Sequence, residues 1–166
     1  DAQVHPNVAL RSALVKVTIG NVTGAAGSGT LSSGSISTHV TWTADGGTAS
    51  LEVPIPGAKP WSEFTPVLQH LTLKLTGHNA DDEKPVTFGL REIKTDGKQI
   101  LLNGELFSFR ASHSGGGYPI QGAPPTDVAS WRRTIAICKA WGLNGMRFHS
   151  WCPPEASFTA ADELGF

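Results

Sequence analysis

The period of the hydrophobic pattern changes partway along the chain, and this change limits the folds that the sequence can adopt. Up to about residue 91, apolar and polar residues alternate, as they do in His39-Val40-Thr41-Trp42-Thr43 and in 71–75. After about residue 100, apolar residues recur at helical spacing, as Val128, Trp131 and Ile135 do. Period two is typical of strands and period 3.6 of helices. The sequence therefore predicts a β-rich part followed by an α/β part.

The first part predicts an antiparallel β-sandwich with no helix longer than two turns before residue 90. Short strands are expected near Leu14 to Ile19 and in 39–43, 49–55, 71–75 and 86–88. The glycine- and serine-rich segment from Gly24 to Ser37 has little to bury, and we expect it to form a mobile hairpin loop.

The second part predicts alternating strands and helices. Asn103-Gly104 is expected to form the turn of a hairpin over 100–106, from which the chain continues as a strand to Ala111. Thr126 is expected to cap a helix that Gly142 ends. A short strand over 145–149 and a helix from Pro153-Pro154 to Leu164 follow. This order is typical of a parallel α/β sheet.

Polar and apolar side chains alternate along the short strand before the last helix. Met146 and Phe148 are expected to pack on helices, whereas Arg147 and His149 face the other side. Sheets that are covered by helices on both faces are usually aliphatic on both, so inward arginines suit the interior of a barrel better. The sequence thus predicts that Arg147 and His149 point toward the axis of a barrel. Two βα units are about a quarter of the roughly 250 residues that such a barrel needs.

Composition excludes several classes of protein. The 166 residues carry 13 basic and 14 acidic side chains, and this net charge of −1 disfavours nucleic-acid binding. No apolar run is long enough for a membrane span. Cys138 and Cys152 match no zinc pattern, so they are expected to be free thiols, and neither a metal nor a cofactor is predicted.

The first residues do not resemble a signal peptide, so either a leader was removed or the chain is part of a longer one. The compartment is left open, with the periplasm or secretion favoured over the cytoplasm.

Five ordered segments resemble motifs of glycoside hydrolase family 2, which contains β-galactosidases, β-glucuronidases and β-mannosidases. This chain has counterparts of the opening of the family's immunoglobulin-like domain and of its Leu-Trp-Ser-Pro-Glu segment. It also has counterparts of the family's series Phe-Gly-Phe-Arg, Leu-Asn-Gly-Lys and Leu-Arg-Gly, and of its segments Lys-x-x-Gly-x-Asn-x-x-Arg and Cys-Asp-Glu-Leu-Gly. They are His5–Val8, Pro60–Leu68, Phe88–Arg91 with Leu102–Glu105 and Phe109-Arg110, Lys139–Arg147, and Ala161–Phe166.

This resemblance implies a fold and a function. It implies an immunoglobulin-like β-sandwich over 1–91, and over 92–166 the first βα units of a catalytic (β/α)8 TIM barrel, which this chain leaves incomplete. It also implies a retaining, exo-acting β-glycosidase whose substrate is a terminal β-linked sugar such as a β-galactoside or β-glucuronide. The rest of the same enzyme, or a second chain, would complete the barrel.

The resemblance also implies that the catalytic pair lies elsewhere. The acid/base glutamate of the family follows an asparagine, and this sequence contains no Asn-Glu pair. Glu155, Asp162 and Glu163 are expected on a helix outside the barrel. We therefore expect both catalytic glutamates downstream of Phe166 and no activity from the 166 residues alone. The alternative is a non-enzymatic β-sandwich module that binds carbohydrate or protein.

Four residues are candidates for lining the substrate pocket: Arg147, His149, His113 and Trp151. Arg147 could instead pair with an acidic residue of a later barrel strand, the histidines could be structural, and Trp151 could pack in the core instead of stacking on a sugar ring. The family reads Arg-x-Ser-His-Tyr-Pro where this chain has Arg147-Phe148-His149-Ser150-Trp151, which indicates a different substrate. Arg110 is expected to form a structural ion pair.

An incomplete barrel is expected to leave an apolar surface open to water. The residues expected to contribute to it are Trp131, Ile135, Phe148 and Phe158. Such a surface would require further polypeptide to cover it.

Overall fold

A computed structural model describes residues 1–77 and 79–166, which divide into two compact units. The first unit comprises Asp1–Lys59 and Gln69–Glu92, and the second comprises Pro60–Leu68 and Ile93–Phe166. The chain is mostly antiparallel β-structure with two helices. Neither helix combines the length and the apolar character that crossing a bilayer requires.

The described strands of the first unit form two sheets. One sheet has the order β1-β2-β5 and the other β4-β3-β6-β7. The pairs β1–β2, β2–β5, β3–β4 and β3–β6 are all antiparallel. The strands are β1 (Ala2–Asn7), β2 (Ser12–Ile19), β3 (Gly27–Ser33), β4 (Ile36–Trp42), β5 (Gly47–Pro54), β6 (Leu68–Gly77) and β7 (Ala80–Gly89).

Alternate residues of both sheets build one apolar core. Two-residue spacing puts Val15 of β2, Leu51 and Val53 of β5, and Val40 and Trp42 of β4 among the buried side chains. Ile19, Leu31 and Leu73 complete the cluster. Two sheets that share a core are consistent with the predicted β-sandwich, and no described helix precedes residue 90. The immunoglobulin-like assignment of 1–91 stays a prediction.

The prediction of a mobile loop over Gly24 to Ser37 is wrong. Most of this segment is β3 and the start of β4, which pair with each other along their length. Its strand glycines leave room for neighbours, because a Cβ at Gly29 would clash with the carbonyl oxygen of Thr76 on β6, and a Cβ at Gly27 would lie 2.7 Å from the ring of Trp42 on β4. Leu31 is 2 % exposed and anchors β3 in the core. The low apolar content gave no alternating pattern, although β3 pairs with both the adjacent β4 and the distant β6.

The second unit contains two small sheets and two helices. The antiparallel sheet has the order β10-β9-β8, and Asn103 and Gly104 make its predicted turn with φ of 54° and 88°. The other sheet is a parallel pair of β11 and β12. The elements are β8 (Ile93–Asp96), β9 (Gln99–Leu102), β10 (Glu105–Leu106), β11 (Ala111–Ser114), α1 (Val128–Ala140), β12 (Gly145–Phe148) and α2 (Glu155–Leu164).

The predicted strand from Leu106 to Ala111 is wrong, because β10 ends at Leu106 and β11 begins only at Ala111. The side chain of Asn144 binds the backbone between them. Its Oδ1 accepts from the Arg110 N–H at 2.7 Å, and its Nδ2 donates to the carbonyl oxygen of Ser108 at 2.9 Å. These backbone groups bind an amide side chain, so they are not part of a strand ladder.

The first helix begins one residue later than predicted. Its N-cap is Asp127, not Thr126, and the Asp127 Oδ1 accepts from the Ser130 N–H at 2.7 Å. This hydrogen bond holds the pKa of the Asp127 carboxyl below its ordinary value. The predicted end is confirmed, because Gly142 has a φ of 77° and the Leu143 N–H donates to the Cys138 carbonyl.

The two helices pack on each other through a second apolar core. Trp131 and Ile135 of α1 are each 2 % exposed and meet Ala156 and Ala160 of α2. Met146 and Phe148 of β12 pack against this cluster, as predicted. The expectation that Trp131, Ile135 and Phe148 form an open apolar surface is therefore wrong, since α1, α2 and β12 cover one another. Of that predicted set Phe158 is exposed, at 51 %. The assignment to the start of a TIM barrel stays a prediction.

Candidate functional site

The candidate residues converge at the carboxyl ends of the parallel pair β11–β12. Ala111 is opposite Gly145, and His113 is opposite Arg147. Neighbours in a parallel register share a face, and alternation adds His149 to it. His113, Arg147 and His149 are all exposed on that face, while Met146 and Phe148 occupy the helix side. That this face points toward the axis of a barrel stays a prediction.

The side chains of His113, Arg147 and His149 lie close to one another. The Arg147 Nη1 lies 3.2 Å from the His149 Nδ1, and the rings of His113 and His149 have centroids 5.1 Å apart. A guanidinium can only donate, so a hydrogen bond in this contact requires the Nδ1 to accept. Among the described residues, Arg147 forms no ion pair with a carboxylate. The cluster therefore offers N–H donors with no acidic partner.

A shallow cavity adjoins this cluster. Its walls combine polar groups with apolar ones, and they are Phe109, Ala111, Ser112, His113, Met146 and Arg147. Gly145 leaves space for the ring of Phe109, since a Cβ there would lie 2.8 Å from the ring. Phe109 stays 59 % exposed. The cavity is thus open, with a cationic side and an aromatic side.

Trp151, the fourth candidate, is partly buried just beyond β12. Its Nε1 donates to the Ser114 carbonyl oxygen at 3.1 Å. Its ring makes edge-on contacts with Phe148 and Tyr118, with centroids 5.1 Å and 5.9 Å away. Burial raises the pKa of Tyr118, and a hydrogen bond with the Ser114 side chain partly offsets this shift. Trp151 therefore packs among protein groups, and its predicted place in a substrate pocket stays a prediction.

A second polar cluster precedes the same two strands, and its centre, Glu63, is not a predicted site residue. The Glu63 Oε2 accepts from the Asn144 Nδ2 at 2.6 Å, and its Oε1 lies 3.5 Å from the Arg110 Nη2. The ion pair expected of Arg110 is therefore confirmed. Arg110 also donates from Nε to the Gly142 carbonyl at 2.8 Å. We call Glu63, Arg110, Asn144 and Lys139 the anchor cluster.

Lys139 extends the anchor cluster to the end of α2. Its ammonium donates to three carbonyl oxygens, those of Glu63, Leu164 and Gly165, at 2.9, 2.6 and 2.9 Å. Gly165 has a left-handed φ of 72°, and a Cβ there would lie 2.6 Å from the Glu63 carbonyl oxygen. Sequence motifs pointed to these residues, since Glu63, Lys139, Asn144 and Gly165 all lie in the family-like segments.

The acidic residues of α2 do not line this cavity. Glu163 receives two hydrogen bonds from Arg132, at 2.6 Å and 2.8 Å, and this contact lowers the pKa of Glu163. Glu155 is exposed in the first turn, and the Asp162 carbonyl accepts from the Trp61 Nε1. Retaining glycoside hydrolysis uses two carboxyl groups about 5–5.5 Å apart. Beside His113 and Arg147 the cavity wall in the described chain contains no carboxylate. Residues 1–77 and 79–166 also contain no metal-ligating group of three or more acidic, histidine or cysteine side chains.

Comparison with known proteins gives similar folds and one curated relative. No family model matches the chain. A β-galactosidase from Arthrobacter sp. (strain B7) is 29 % identical over 114 residues, which cover 69 % of this chain and 11 % of that protein. A family 2 β-galacturonidase from Eisenbergiella tayi, solved with galacturonate, has a TM-score of 0.84 and 24 % identity, with 99 % of this chain and 31 % of that chain covered.

Another structure of a family 2 β-galacturonidase from Eisenbergiella tayi, with glycerol, gives 26 % identity and a TM-score of 0.81 over 99 % of this chain and 30 % of that chain. An exo-chitosanase from Amycolatopsis orientalis is 23 % identical, with a TM-score of 0.73 over 99 % of this chain and 21 % of that chain. This chain thus spans a third or less of each of these proteins. The resemblance to glycoside hydrolase family 2 that the motifs predicted is confirmed in sequence and in fold.

Proposed function

We propose that this chain is a segment of a larger retaining β-glycosidase that removes terminal sugars. In this proposal residues 1–91 are an immunoglobulin-like supporting domain, and residues 92–166 supply the first βα units of a TIM barrel. The substrate is a β-galactoside, a β-glucuronide or a related sugar, in keeping with the β-galactosidase and β-galacturonidase names of the similar proteins.

One observation carries the proposal: the polar cluster at the carboxyl ends of two parallel strands. TIM-barrel enzymes build their active sites at this end of the strands. His113, Arg147 and His149 come together there, on the face opposite to the helices. A parallel sheet that was buried on both faces would place aliphatic side chains at these positions.

In the proposed enzyme these residues bind and orient, and other parts of the polypeptide supply the reacting carboxylates. Arg147 has five N–H donors, of which one contacts His149, so donors remain for a sugar hydroxyl or an acidic residue of a later strand. With Nδ1 as the acceptor, the Nε2–H of His149 is a further donor. Precise positioning of a sugar beside two carboxylates converts binding into rate acceleration.

The test is to assay the full-length polypeptide that contains this segment with a panel of p-nitrophenyl β-glycosides. The panel contains galactoside, glucuronide, galacturonide, glucosaminide and mannoside, and proton NMR follows the anomer that is released first. We expect hydrolysis of at least one glycoside with a β-anomer as first product. The 166-residue chain is the matched control, and we expect it to release no p-nitrophenol above background.

Two results would contradict the proposal. An α-anomer as first product would exclude the retaining mechanism. A folded full-length protein that cleaves no glycoside, and instead binds a carbohydrate or a protein in calorimetry, would favour the non-enzymatic sandwich module.

A further inference from the structure

The indole of Trp151 is held on several sides at the carboxyl end of the parallel pair. Phe148 and Tyr118 approach its ring at interplanar angles of 85° each. A Cβ at Gly116 would lie 3.2 Å from its Cδ1 and Nε1, so the backbone of the glycine-rich segment 115–118 lies against the ring edge. Its Nε1–H is used by the Ser114 carbonyl. These contacts are with protein groups only.

One carbonyl joins Trp151 to a candidate site residue. The Ser114 oxygen, at the end of β11, accepts from the His149 backbone N–H at 2.9 Å and from the Trp151 Nε1 at 3.1 Å. A carbonyl oxygen has two lone pairs, so these two bonds can use both of them. The position of the His149 backbone and that of the indole therefore depend on the same atom.

The backbone between these two residues adopts an unusual conformation. Ser150 has a φ of 62°, in the left-handed region that residues other than glycine seldom enter. This turn follows His149 directly and brings Trp151 back toward the end of β11. Strained backbone of this kind persists only where surrounding contacts enforce it. Trp151 supplies contacts on the far side of this turn, through its Nε1–H and its ring.

We propose that Trp151 is a positioning residue that fixes the segment 115–118 and the backbone of His149, and that it is not a sugar-stacking platform. The part that concerns His149 rests on the function proposed above, because only there is His149 a substrate contact. The part that concerns segment 115–118 is independent of any substrate.

The first measurement is amide hydrogen exchange of the full-length protein without substrate. Two hydrogen-bonded amides report on this region: Gly122 donates to the Tyr118 carbonyl at 2.7 Å, and His149 donates to the Ser114 carbonyl at 2.9 Å. In Trp151→Ala we expect both amides to exchange at least about tenfold faster, because the ring and its hydrogen bond are lost. Trp151→Phe keeps an aromatic ring but not the N–H donor, so we expect a smaller increase. Trp141→Ala is the matched control, since Trp141 is 82 % exposed at the end of α1 and should leave both amides unchanged.

The second measurement is a double-mutant cycle on kcat/KM with His149→Ala and Trp151→Phe. If Trp151 acts through His149, the loss caused by His149→Ala should be at least about threefold smaller in the Trp151→Phe background. A residue that only stabilises the fold would give losses that multiply. Trp151→Phe also protects the test against an alanine variant that fails to fold.

The outcomes separate the two proposals. Unchanged exchange of the Gly122 and His149 amides in both Trp151 variants would overturn the positioning role, and a raised KM with unchanged kcat would then favour sugar stacking. Multiplying losses in the cycle would overturn the link to His149. A full-length protein that hydrolyses no glycoside, but whose Gly122 amide exchanges faster in both variants, would contradict the proposed function and support the anchoring of the segment.

Discussion

The two polar clusters of the second unit lie at opposite ends of the same parallel strands and differ in how their groups are satisfied. In the anchor cluster, Asn144 is buried with both its amide atoms bonded, and Lys139 donates three hydrogen bonds. At the other end His113, Arg147 and His149 are exposed, and Arg147 has no carboxylate partner in the described chain. One end is saturated by internal contacts, and the other has donors available to a ligand.

The contrast between the two clusters corresponds to where the sequence resembles glycoside hydrolase family 2 and where it departs from it. Glu63, Lys139 and Asn144 of the anchor cluster lie in segments that resemble family 2, and Arg147 of the exposed end is the last residue of one such segment. The segment after Arg147, which departs from the family, leads into the exposed end. A saturated buried network tolerates little change because each lost partner leaves another group unpaired. A ligand-facing surface can change with the ligand.

The largest effect is expected from Asn144→Ala. The substitution leaves the Arg110 N–H, the Ser108 carbonyl and Glu63 without their partner, and it should lower the free energy of unfolding by about 2–4 kcal/mol. Urea denaturation measures this change. His113→Ala, at the exposed end, is the control, with an expected change below about 0.5 kcal/mol. Equal losses for the two variants would remove the distinction between the clusters.

A somewhat smaller effect is expected from Lys139→Met, which keeps the aliphatic stem but removes the ammonium that three carbonyl oxygens share. We expect a loss of about 1–3 kcal/mol in urea denaturation. Lys74→Met is the matched control, because Lys74 makes an exposed pair with Glu83 at 3.3 Å. Exposed pairs contribute about 0–1 kcal/mol. A loss at Lys74 that matches the one at Lys139 would contradict the assignment.

Substitutions at the exposed end should change activity and spare stability. For Arg147→Ala and His149→Ala in the full-length protein, we expect unfolding midpoints close to that of the wild type. We expect kcat/KM to fall at least about tenfold, a loss of about 1.4 kcal/mol in transition-state stabilisation. Steady-state kinetics on the best glycoside of the panel measures it. Full activity in both variants would exclude these residues from the substrate pocket.

The smallest effect concerns acid sensitivity at the start of α1. The pKa of Asp127 is lowered in the folded state by its hydrogen bond from Ser130, so its contribution to stability is present above the unfolded-state pKa. That contribution is lost as the pH falls through the lower, folded-state pKa. Asp127→Asn keeps a capping oxygen but does not titrate. Below about pH 4 we expect thermal unfolding midpoints to fall less steeply for this variant than for the wild type, and parallel curves would contradict this assignment.

Local patterns predicted the elements whose stabilising contacts are local. The turn at Asn103-Gly104, the apolar face of α1 and the end of α1 at Gly142 follow from residues a few positions apart. The strand β3 did not follow, because its glycines are explained by neighbours on other strands: Trp42 of β4 lies against Gly27, and the backbone of β6 lies against Gly29. The anchor cluster did not follow either, since Glu63 and Asn144 are 81 residues apart. Hydrogen bonds between groups so distant in sequence leave no periodic signal.

The family-like motifs supplied what local patterns could not, although they indicated a site and not its geometry. His113, Arg147 and His149 were predicted as pocket residues, and the structure brings them together at one strand end. The structure also surrounds Trp151 with protein groups. Of these groups, Ser114 lies on β11 and Tyr118 lies in the segment that follows β11, so the sequence next to Trp151 did not identify them.

The discontinuity of the second unit affects how the chain can be divided. The segment Pro60–Leu68 clusters with residues 93–166, although Gln69–Glu92 of the first unit separates them in sequence. Proteolytic cleavage after Glu92 would therefore not yield two self-sufficient pieces. It would leave Glu63 and Trp61 on one fragment, and Asn144, Lys139 and the Asp162 carbonyl on the other. The two fragments should stay associated through these bonds until denaturant is added.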